Sequence, residues 1–271
     1  MKITSVNNDL VKETAKLLRG KHRDEMGLFL IEGEKGVNEA ISAGIDIERI
    51  FVLENHNIDV IANEVKQSSI NNSGLLRASS RSDIQIIETT DAVLAKISDA
   101  KSAPKVIAVA KQPRQDFKIL ENAKKVVLLE GIKDAGNLGT ILRTASAFGI
   151  DAVVLYGDTV DLYNPKCVRS TVGCLWKTPV FQIKEFDKLK NIFNHYERVA
   201  TLPKGDRVNI IELGKYTPSE KVLIMFGSEA DGLSEELKDF ATKNVTIEMA
   251  ENVESLNLSV SAAVFMYKIR G

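Results

Sequence analysis

Cysteine and histidine are scarce in this sequence, which has two cysteines and three histidines among its 271 residues. Cys167 and Cys174 are seven residues apart, a spacing typical neither of metal ligands nor of redox pairs. His22, His56 and His195 are scattered along the chain without such partners nearby. The sequence therefore predicts no metal site and two free thiols in or near a helical core, as expected of a protein in the reducing cytoplasm.

Long apolar runs and a strong net charge are also missing. The longest apolar runs are far too short to span a membrane, and the N-terminus lacks the apolar core of a signal peptide. We therefore expect no membrane association. The formal net charge of -1 gives no global sign of nucleic-acid binding. The sequence contains neither a Walker phosphate loop nor a dinucleotide-binding glycine fingerprint, which disfavours the usual nucleotide-dependent enzymes.

Positive charge is nevertheless concentrated near the N-terminus, where residues 1–23 hold six lysines or arginines against only Asp9 and Glu13. A basic helix of this kind is most often a solvated face, and it can also contact the phosphates of RNA. Composition alone favours the solvated face. The candidate RNA-binding residues are Lys12, Lys16, Arg19, Lys21 and Arg23.

Short apolar strands alternate with helices along the whole chain, which predicts an α/β protein. Residues 1–111 are predicted to form a small α/β domain, and residues 112–122 a linker rich in charge. Residues 123–271 are predicted to form a parallel sheet with helices on both faces. Helices are expected, among other places, at Asp9–Leu18 with Gly20 closing it, around Ile58–Lys66, around Lys166–Cys174 and from about Leu258 to Ile269.

The stretch "NLGTILRTASAFG", from Asn137 to Gly149, reads as an amphipathic helix by the spacing of its apolar residues. Asn137 is expected to cap its start and Gly149 to end it. Arg143 interrupts this otherwise ordinary pattern. It is either part of a solvated face or a working residue that faces a site.

Ligands of parallel α/β sheets bind beyond the carboxyl ends of the strands, so the loops after the strands deserve comparison. The strand "VLIMF" is followed by "GSEADGLS", in which Gly227 and Gly232 flank Glu229. The strand "NVTIEM" is followed by "AENVESLNLS". By themselves the two glycines are equally well explained as turn residues, although glycine also lets the backbone approach a ligand closely.

Taken together, three stretches resemble the three motifs of the SpoU (TrmH-type) RNA ribose 2'-O-methyltransferases of the SPOUT superfamily. These stretches are Asn137–Gly149, Phe226–Ser234 and Ile247–Val260. "GLFLIEGEKGVNEAI" resembles the ribosomal-protein-like substrate-binding domain that precedes the methyltransferase domain in many ribosomal-RNA members. The resemblance implies a C-terminal parallel-sheet SPOUT domain with a deep trefoil knot, S-adenosylmethionine as cofactor, and a homodimer with the site near its interface.

The resemblance also implies a set of site residues. The catalytic positions are Arg143, Asn137 and Glu229. The cofactor-binding positions are Thr201, Leu202, Gly227, Ile247, Met249, Ser255, Leu256 and Asn257. Because arginine keeps its proton to a pKa above about 12, we interpret Arg143 as an electrostatic stabiliser and phosphate clamp. Substrate phosphate or water is then expected to help remove the proton.

Several positions depart from the family pattern. Glu248 stands where a proline is usual and Glu251 where a glycine is usual, while Ala230 replaces a glycine and Ala135 a proline. The first hypothesis is an active ribose methyltransferase of RNA, with large-subunit ribosomal RNA favoured over transfer RNA. The second is a non-catalytic RNA-binding module with a weakened cofactor site.

Overall fold

A computed structural model describes residues 1–56, 84–250, 252–253 and 255–270 of the chain. The helix expected near Ile58–Lys66 lies outside these described residues. The chain forms two compact units. Unit 1 comprises Met1–Arg114 together with Asp161–Trp176, and unit 2 comprises Gln115–Val160 together with Lys177–Gly271. The segment Asp161–Trp176 therefore belongs to unit 1 although it falls within the predicted second domain, residues 123–271.

Unit 1 is built on a five-stranded sheet with the strand order β1-β4-β3-β5-β2. The pairs β1–β4 and β3–β4 are parallel, and β5 runs antiparallel to both β3 and β2. Every residue of β2 is buried, because helices of unit 1 and the segment Asp161–Trp176 both pack against it. The strands are β1 (Lys2–Ile3), β2 (Leu28–Glu32), β3 (Ile47–Leu53), β4 (Gln85–Thr89) and β5 (Val106–Lys111).

In the described part of unit 1, four helices precede Asp161–Trp176, the returning segment: α1 (Asp9–Lys16), α2 (Gly20–Met26), α3 (Glu34–Ser42) and α4 (Asp91–Lys96). The prediction that Gly20 closes the first helix was wrong, because Gly20 begins α2. Leu17 is buried after the end of α1, and its carbonyl accepts a hydrogen bond of 2.7 Å from the buried Arg23 guanidinium. This contact makes the chain turn and start a second helix.

The returning segment contains α5 (Pro165–Ser170) and a 3-10 turn at Cys174–Trp176. The helix expected around Lys166–Cys174 is interrupted because Val172 and Gly173 both have positive φ angles, 52° and 85°. Both cysteines are free thiols, as predicted. Burial raises the pKa of the Cys167 thiol to about 12, so this thiol is a structural core residue.

Unit 2 is built on a seven-stranded sheet in the order β10-β12-β9-β11-β6-β7-β8, in which all neighbouring strands are parallel. This confirms the predicted parallel sheet. The strands are β6 (Lys125–Glu130), β7 (Ala152–Tyr156), β8 (Val180–Ile183), β9 (Glu197–Thr201), β10 (Ile210–Glu212), β11 (Val222–Phe226) and β12 (Lys243–Thr246). The edge strands β8 and β10 were not predicted, because their half-exposed residues give no continuous apolar run.

The helices of unit 2 are α6 (Ile119–Asn122), α7 (Ala135–Ala147), α8 (Phe186–Phe193), α9 (Glu235–Phe240) and α10 (Leu258–Ile269). The first of these is a single turn within the predicted linker. The last has the bounds expected from the sequence. The trefoil knot stays a prediction. Among the described residues, no helix is long and apolar enough to cross a membrane.

Candidate active site

The start of α7 differs from the sequence prediction in a way that matters for the site. Asp134, not Asn137, caps the helix: its carboxylate accepts a hydrogen bond of 2.8 Å from the Asn137 backbone N–H. The expected cap at Asn137 was therefore wrong. Because the helix starts three residues earlier than expected, the Asn137 side chain is released from capping and can bind other groups. Gly149, with φ of 64°, follows the last turn as predicted.

The Asn137 side chain joins the three stretches that carry the family resemblance. Its Nδ2 donates a hydrogen bond of 2.7 Å to Oε1 of Glu229, in the loop after β11. Its Oδ1 accepts a hydrogen bond of 3.2 Å from Nδ2 of Asn257, at the start of α10. Both polar ends of one amide are thus used across 92 and 120 residues of sequence separation.

Asn257 combines two tasks, as its position suggested. Its Oδ1 caps α10 by accepting hydrogen bonds from the backbone N–H of Ser259 at 2.9 Å and from the Ser259 hydroxyl at 2.6 Å. The same side chain contacts Asn137 through its amide nitrogen. Helix capping therefore fixes the rotamer that reaches the site.

The loop after β11 is folded tightly on itself. Ser228 and Gly232 exchange two backbone hydrogen bonds of 3.1 Å each. A Cβ atom on Gly227 would lie 1.9 Å from the carbonyl carbon of Gly232. Only glycine fits position 227, because the conflict is with backbone atoms that cannot rotate away. This glycine is explained by loop packing as well as by the expected approach to a cofactor.

Glu130 supports this loop, and the sequence reasoning did not single it out. It ends β6, and its Oε2 accepts a hydrogen bond of 2.7 Å from the backbone N–H of Ser234. The Ser234 hydroxyl in turn caps α9 through the N–H of Leu237, at 3.3 Å. A carboxylate directly after the apolar run "VVLL" was the available signal, since it lies at the carboxyl end of a central strand.

Arg143 lies in the third turn of α7 and is exposed to solvent. Among the described residues, no hydrogen bond or ion pair holds its guanidinium. Asn137 and Glu229, in contrast, are tied to each other. Arg143 lies six residues after Asn137 on α7, and its exposed guanidinium can bind and stabilise a polyanionic substrate.

The expected cofactor positions fall around the ends of β9, β11 and β12. The Thr201 hydroxyl donates to the carbonyl of Met225 at 2.8 Å, and the Leu202 N–H donates to the carbonyl of Val245 at 3.0 Å. These bonds hold the three strand ends in register. Ser255 is exposed and Leu256 half-buried in the approach to α10.

The donor set after β12 fits a nucleoside cofactor. Among described residues, the peptide groups of Ile247 and Met249 form no hydrogen bond to another backbone group. Both residues are only half-buried, so their N–H and C=O groups are left for another partner. Main-chain donors and acceptors of this kind match the polar edge and ribose of an adenosine.

Glu248, one of the departures from the family pattern, is engaged in the structure. Its carboxylate accepts hydrogen bonds of 3.1 and 3.4 Å from the backbone N–H of Gly214. The Lys268 ammonium donates to the carbonyl of the same glycine at 3.1 Å. Glu248 thus fastens the turn after β10. Glu251 lies outside the described residues.

The five candidate RNA-binding residues do not share one environment. Lys12, Lys16, Arg19 and Lys21 are exposed. Arg23 is 2% exposed, pairs with Asp161 and donates to the Leu17 carbonyl. Its guanidinium is buried and bonded within unit 1, so the exposed cations that can contact RNA phosphates are the other four. No group of three or more potential metal-ligating side chains occurs among the described residues.

Comparison with known proteins agrees with this arrangement. The model of the SpoU rRNA Methylase family matches residues 124–267. The model of the MRM3-like substrate binding domain matches residues 8–108. The chain is 29% identical over 275 residues to a 23S rRNA (guanosine(2553)-2'-O)-methyltransferase of Bacillus subtilis, with 99% of each chain covered.

Solved structures share the fold. A crystal structure titled RNA 2'-O ribose methyltransferase is 32% identical with a TM-score of 0.76, covering 99% of this chain and 97% of its own. An AdoMet-bound rRNA methyltransferase from Sinorhizobium meliloti has a TM-score of 0.82 at 24% identity, covering 99% and 96%. The residues that the SpoU rRNA Methylase family model matches include Asn137, Arg143 and Glu229. They extend over more than half of the chain. The chain belongs to the SpoU rRNA methylase family.

Proposed function

We propose that this protein transfers a methyl group from S-adenosylmethionine to a ribose 2'-hydroxyl in large-subunit ribosomal RNA. The observation that carries the proposal is the hydrogen-bonded link Glu229–Asn137–Asn257. It brings all three motif stretches together at one end of a parallel sheet, and Arg143 lies on α7, the helix that carries Asn137. Family membership and the 23S rRNA activity of the Bacillus subtilis relative support the same reaction.

Arg143 acts in this proposal on the substrate rather than as a base. Its guanidinium is a cation, so it attracts the phosphate beside the reacting ribose and stabilises the charge that develops on the 2'-oxygen. Asn137 and Glu229 orient the ribose and keep the loop after β11 in place. Substrate phosphate or water takes the proton.

S-adenosylmethionine, when bound, supplies an electrophilic methyl group on its sulfonium. The residues proposed to hold it are Thr201, Leu202, Gly227, Ile247, Met249, Ser255, Leu256 and Asn257. The free peptide groups after β12 bind the adenosine. Gly227 keeps the loop after β11 compact. Glu248 does not weaken this site in our account, because its carboxylate is satisfied by the Gly214 N–H.

The test is transfer of radiolabelled methyl from S-adenosylmethionine to unmodified ribosomal RNA and transfer RNA, assayed separately. We expect label in large-subunit ribosomal RNA. We also expect it in an alkali-resistant dinucleotide, because a 2'-O-methyl blocks cleavage of the next bond. Label in transfer RNA alone would replace the substrate. No label in either RNA or in assembly intermediates would favour a non-catalytic RNA-binding module with a weakened cofactor site.

Unit 1 is proposed to contribute RNA affinity through the exposed cations Lys12, Lys16, Arg19 and Lys21. Each phosphate contact releases counterions, so binding weakens as salt rises. Replacing Lys12 and Lys16 by alanine is expected to reduce the slope of log affinity against log salt by about 1–2. A slope that does not change would assign these lysines to a solvated face.

A second copy of the chain is proposed to cover the outer face of α10. Val260, Val264 and Tyr267 are 47%, 38% and 55% exposed and follow one another at helical spacing. Together with Thr140 and Thr144 of α7 they line a shallow groove of about 390 Å³. Val264→Glu is expected to yield monomers in analytical ultracentrifugation. A wild-type monomer at working concentrations would contradict the homodimer.

We propose that the protein is located in the cytoplasm.

A further inference from the structure

Five charged side chains join two segments that follow neighbouring strands of unit 2. Residues 203–208 come directly after β9 and Leu202, and α9 follows the loop after β11. Strands β9 and β11 are adjacent and parallel, so both segments leave the same end of the sheet. We call these side chains the charge network, and its members are Asp206, Arg207, Glu235, Lys238 and Asp239.

Each cation of the charge network contacts two carboxylates. The Arg207 guanidinium donates to Glu235 at 2.5 Å and to Asp239 at 3.0 Å. The Lys238 ammonium lies 3.0 Å from Asp206 and 3.1 Å from Glu235. Glu235 thus bridges the two cations, and the contacts are connected from end to end. Isolated ion pairs on a surface contribute little, whereas connected ones can stabilise one conformation of a segment.

Lys238 is well shielded from solvent for a lysine, since its side chain is 13% exposed. Its hydrogen bond to Asp206 is the largest influence on its pKa and raises it, against the opposite effect of burial. Partly buried charges are also screened less by salt than exposed ones. The contacts of Lys238 are therefore stronger than those of an ordinary surface ion pair.

The helix α9 is the fixed side of the charge network. Leu237 is fully buried, and its N–H is capped by the Ser234 hydroxyl. The Glu236 carboxylate accepts a hydrogen bond of 3.0 Å from the Tyr156 hydroxyl at the end of β7. These three contacts attach α9 to the sheet without any help from residues 203–208.

Residues 203–208 have few contacts of their own. No residue from 203 to 208 is buried, and Val208 is 81% exposed. Within this segment one backbone hydrogen bond occurs, of 3.3 Å, from the Asp206 N–H to the Pro203 carbonyl. A segment with so little burial and so few backbone bonds opens easily. Its conformation therefore depends on the charge network.

The segment 203–208 adjoins the proposed cofactor site. Thr201 and Leu202, directly before it, are among the residues proposed to hold S-adenosylmethionine, and Gly227 lies in the loop that leads to α9. The Leu202 N–H is tied to the Val245 carbonyl at 3.0 Å. The chain after Leu202 is tied through Asp206 and Arg207 to α9. The charge network thus connects the two loops on either side of these cofactor positions.

We propose that Arg207 and Lys238 are positioning residues for the cofactor, because their ion pairs keep the chain after β9 in the conformation that binds S-adenosylmethionine. This inference rests on the proposed function, which supplies the ligand. A protein that adopts its binding conformation for a smaller fraction of the time binds more weakly by that fraction. Loss of the charge network is therefore expected to lower cofactor affinity and to leave the rate of the loaded enzyme nearly unchanged.

The test is calorimetric titration of the full-length protein with S-adenosylmethionine and with S-adenosylhomocysteine, which lacks the sulfonium charge. Arg207→Met keeps the length of the side chain and removes its charge. We expect the dissociation constants of both ligands to rise about tenfold. We also expect KM for S-adenosylmethionine to rise while kcat stays near that of the wild type. Unchanged dissociation constants in Arg207→Met would overturn the inference.

Lys124→Met is the matched control, because it removes one positive charge from an ion pair at the opposite end of the same sheet. Lys124 directly precedes β6, and its ammonium lies 2.6 Å from Glu220. Its affinity for both ligands should stay at the wild-type value. Equal losses in Arg207→Met and Lys124→Met would overturn the inference. If Arg207→Met fails to fold, Lys238→Met tests the same network from α9, with the same expected and contradictory results.

Salt provides a readout that a purely structural role would not move. The carboxylates that Arg207 contacts are largely exposed, and the screening length falls from about 10 to 3 Å between about 0.1 and 1 M salt. We therefore expect wild-type affinity for S-adenosylhomocysteine to fall with salt and that of Arg207→Met to stay nearly constant. A difference between the two that keeps its size across this range would overturn the inference.

Proteolysis tests the charge network without a ligand. Lys204 is exposed within the segment 203–208, so trypsin can cleave after it when the segment opens. We expect faster cleavage after Lys204 in Arg207→Met than in Lys124→Met, measured by mass spectrometry. Equal rates would overturn the inference.

The outcome remains separable from that of the proposed reaction. A wild-type protein that binds neither ligand would overturn the proposed function and this inference with it. Ligand binding that weakens in Arg207→Met, without label in any RNA, would overturn the proposed reaction and support the charge network. Methyl transfer with an unchanged KM for S-adenosylmethionine in Arg207→Met would overturn the inference and leave the reaction.

Discussion

The two units position their polar groups by different means. In unit 2 every sheet pair is parallel, and the site groups follow directly after strands, where the three motif stretches meet at Asn137. In unit 1 the sheet is mixed, and a segment that returns from far along the chain packs against it, with Glu32 and Arg169 separated by 137 residues. Local motifs reveal the first arrangement but not the second.

The largest effect of a substitution is expected at Gly227, in the loop after β11 of unit 2. Gly227→Ala would place a Cβ 1.9 Å from a backbone carbon, so we expect the loop after β11 to be displaced and stability to fall by about 4 kcal/mol or more. Cofactor binding should be lost as well, which calorimetric titration with S-adenosylmethionine measures. Gly149→Ala is the control: its Cβ would meet nothing within 4 Å, so only the positive φ costs about 1 kcal/mol. Similar losses in both variants would contradict the close-packing argument.

Asn137→Ala tests whether the link between the three stretches serves catalysis. It removes both side-chain hydrogen bonds, to Glu229 and from Asn257. We expect methyl transfer to slow about a hundredfold with little loss of fold stability. Ser146→Ala, later on the same helix, is the control: no hydrogen bond of the Ser146 side chain occurs among the described residues, so its rate should stay near that of the wild type. A wild-type rate for Asn137→Ala would remove the link from the account.

The share of the fold and of the candidate site that could be predicted from the sequence differs between the two units. The parallel sheet, the bounds of α10 and the site loops followed from apolar periodicity and from the motifs. The cap of α7 did not, because Asp134 and Asn137 are both good N-caps and only the tertiary contacts of Asn137 decide between them. In unit 1, the burial of Arg23 was missed since its partner Asp161 is 138 residues away.

Glu197 makes the stability of unit 2 depend on pH. Burial opposes ionisation of this carboxyl, but Lys243, the Tyr216 hydroxyl and Ser219 outweigh it, so its pKa falls below the ordinary 4.5. The stabilisation is therefore present above pH 4.5 and is lost as the pH falls through the lowered folded-state pKa. We expect Glu197→Gln to cost about 1–2 kcal/mol at pH 7 and progressively less in acid, measured by urea unfolding.

The control for this experiment is Glu220→Gln. Glu220 is 77% exposed and pairs with Lys124, so its removal should leave stability unchanged at moderate salt. A Glu197→Gln deficit that is the same at pH 7 and pH 3 would show that packing, not charge, is lost.

The smallest effect on stability is expected in unit 1. Val172→Gly relieves the positive φ of a β-branched residue, while glycine raises the entropy of the unfolded chain. We expect the free energy of unfolding, measured by thermal unfolding, to rise by less than about 1 kcal/mol. A loss of several kcal/mol in this variant would mean that the Val172 side chain packs in the core. It would contradict the interpretation that the backbone at Val172 is strained.

The central claim is that unit 2 holds a ribose methyltransferase site in which Arg143 stabilises the reacting hydroxyl. The most direct measurement is the rate of methyl transfer to unmodified large-subunit ribosomal RNA by Arg143→Ala, with S-adenosylmethionine affinity measured on the same preparation. The account predicts a rate at least about 10²–10³-fold lower with cofactor affinity and unfolding temperature unchanged. A variant that keeps the wild-type rate, or that loses transfer only because it no longer binds the cofactor or folds, would contradict it.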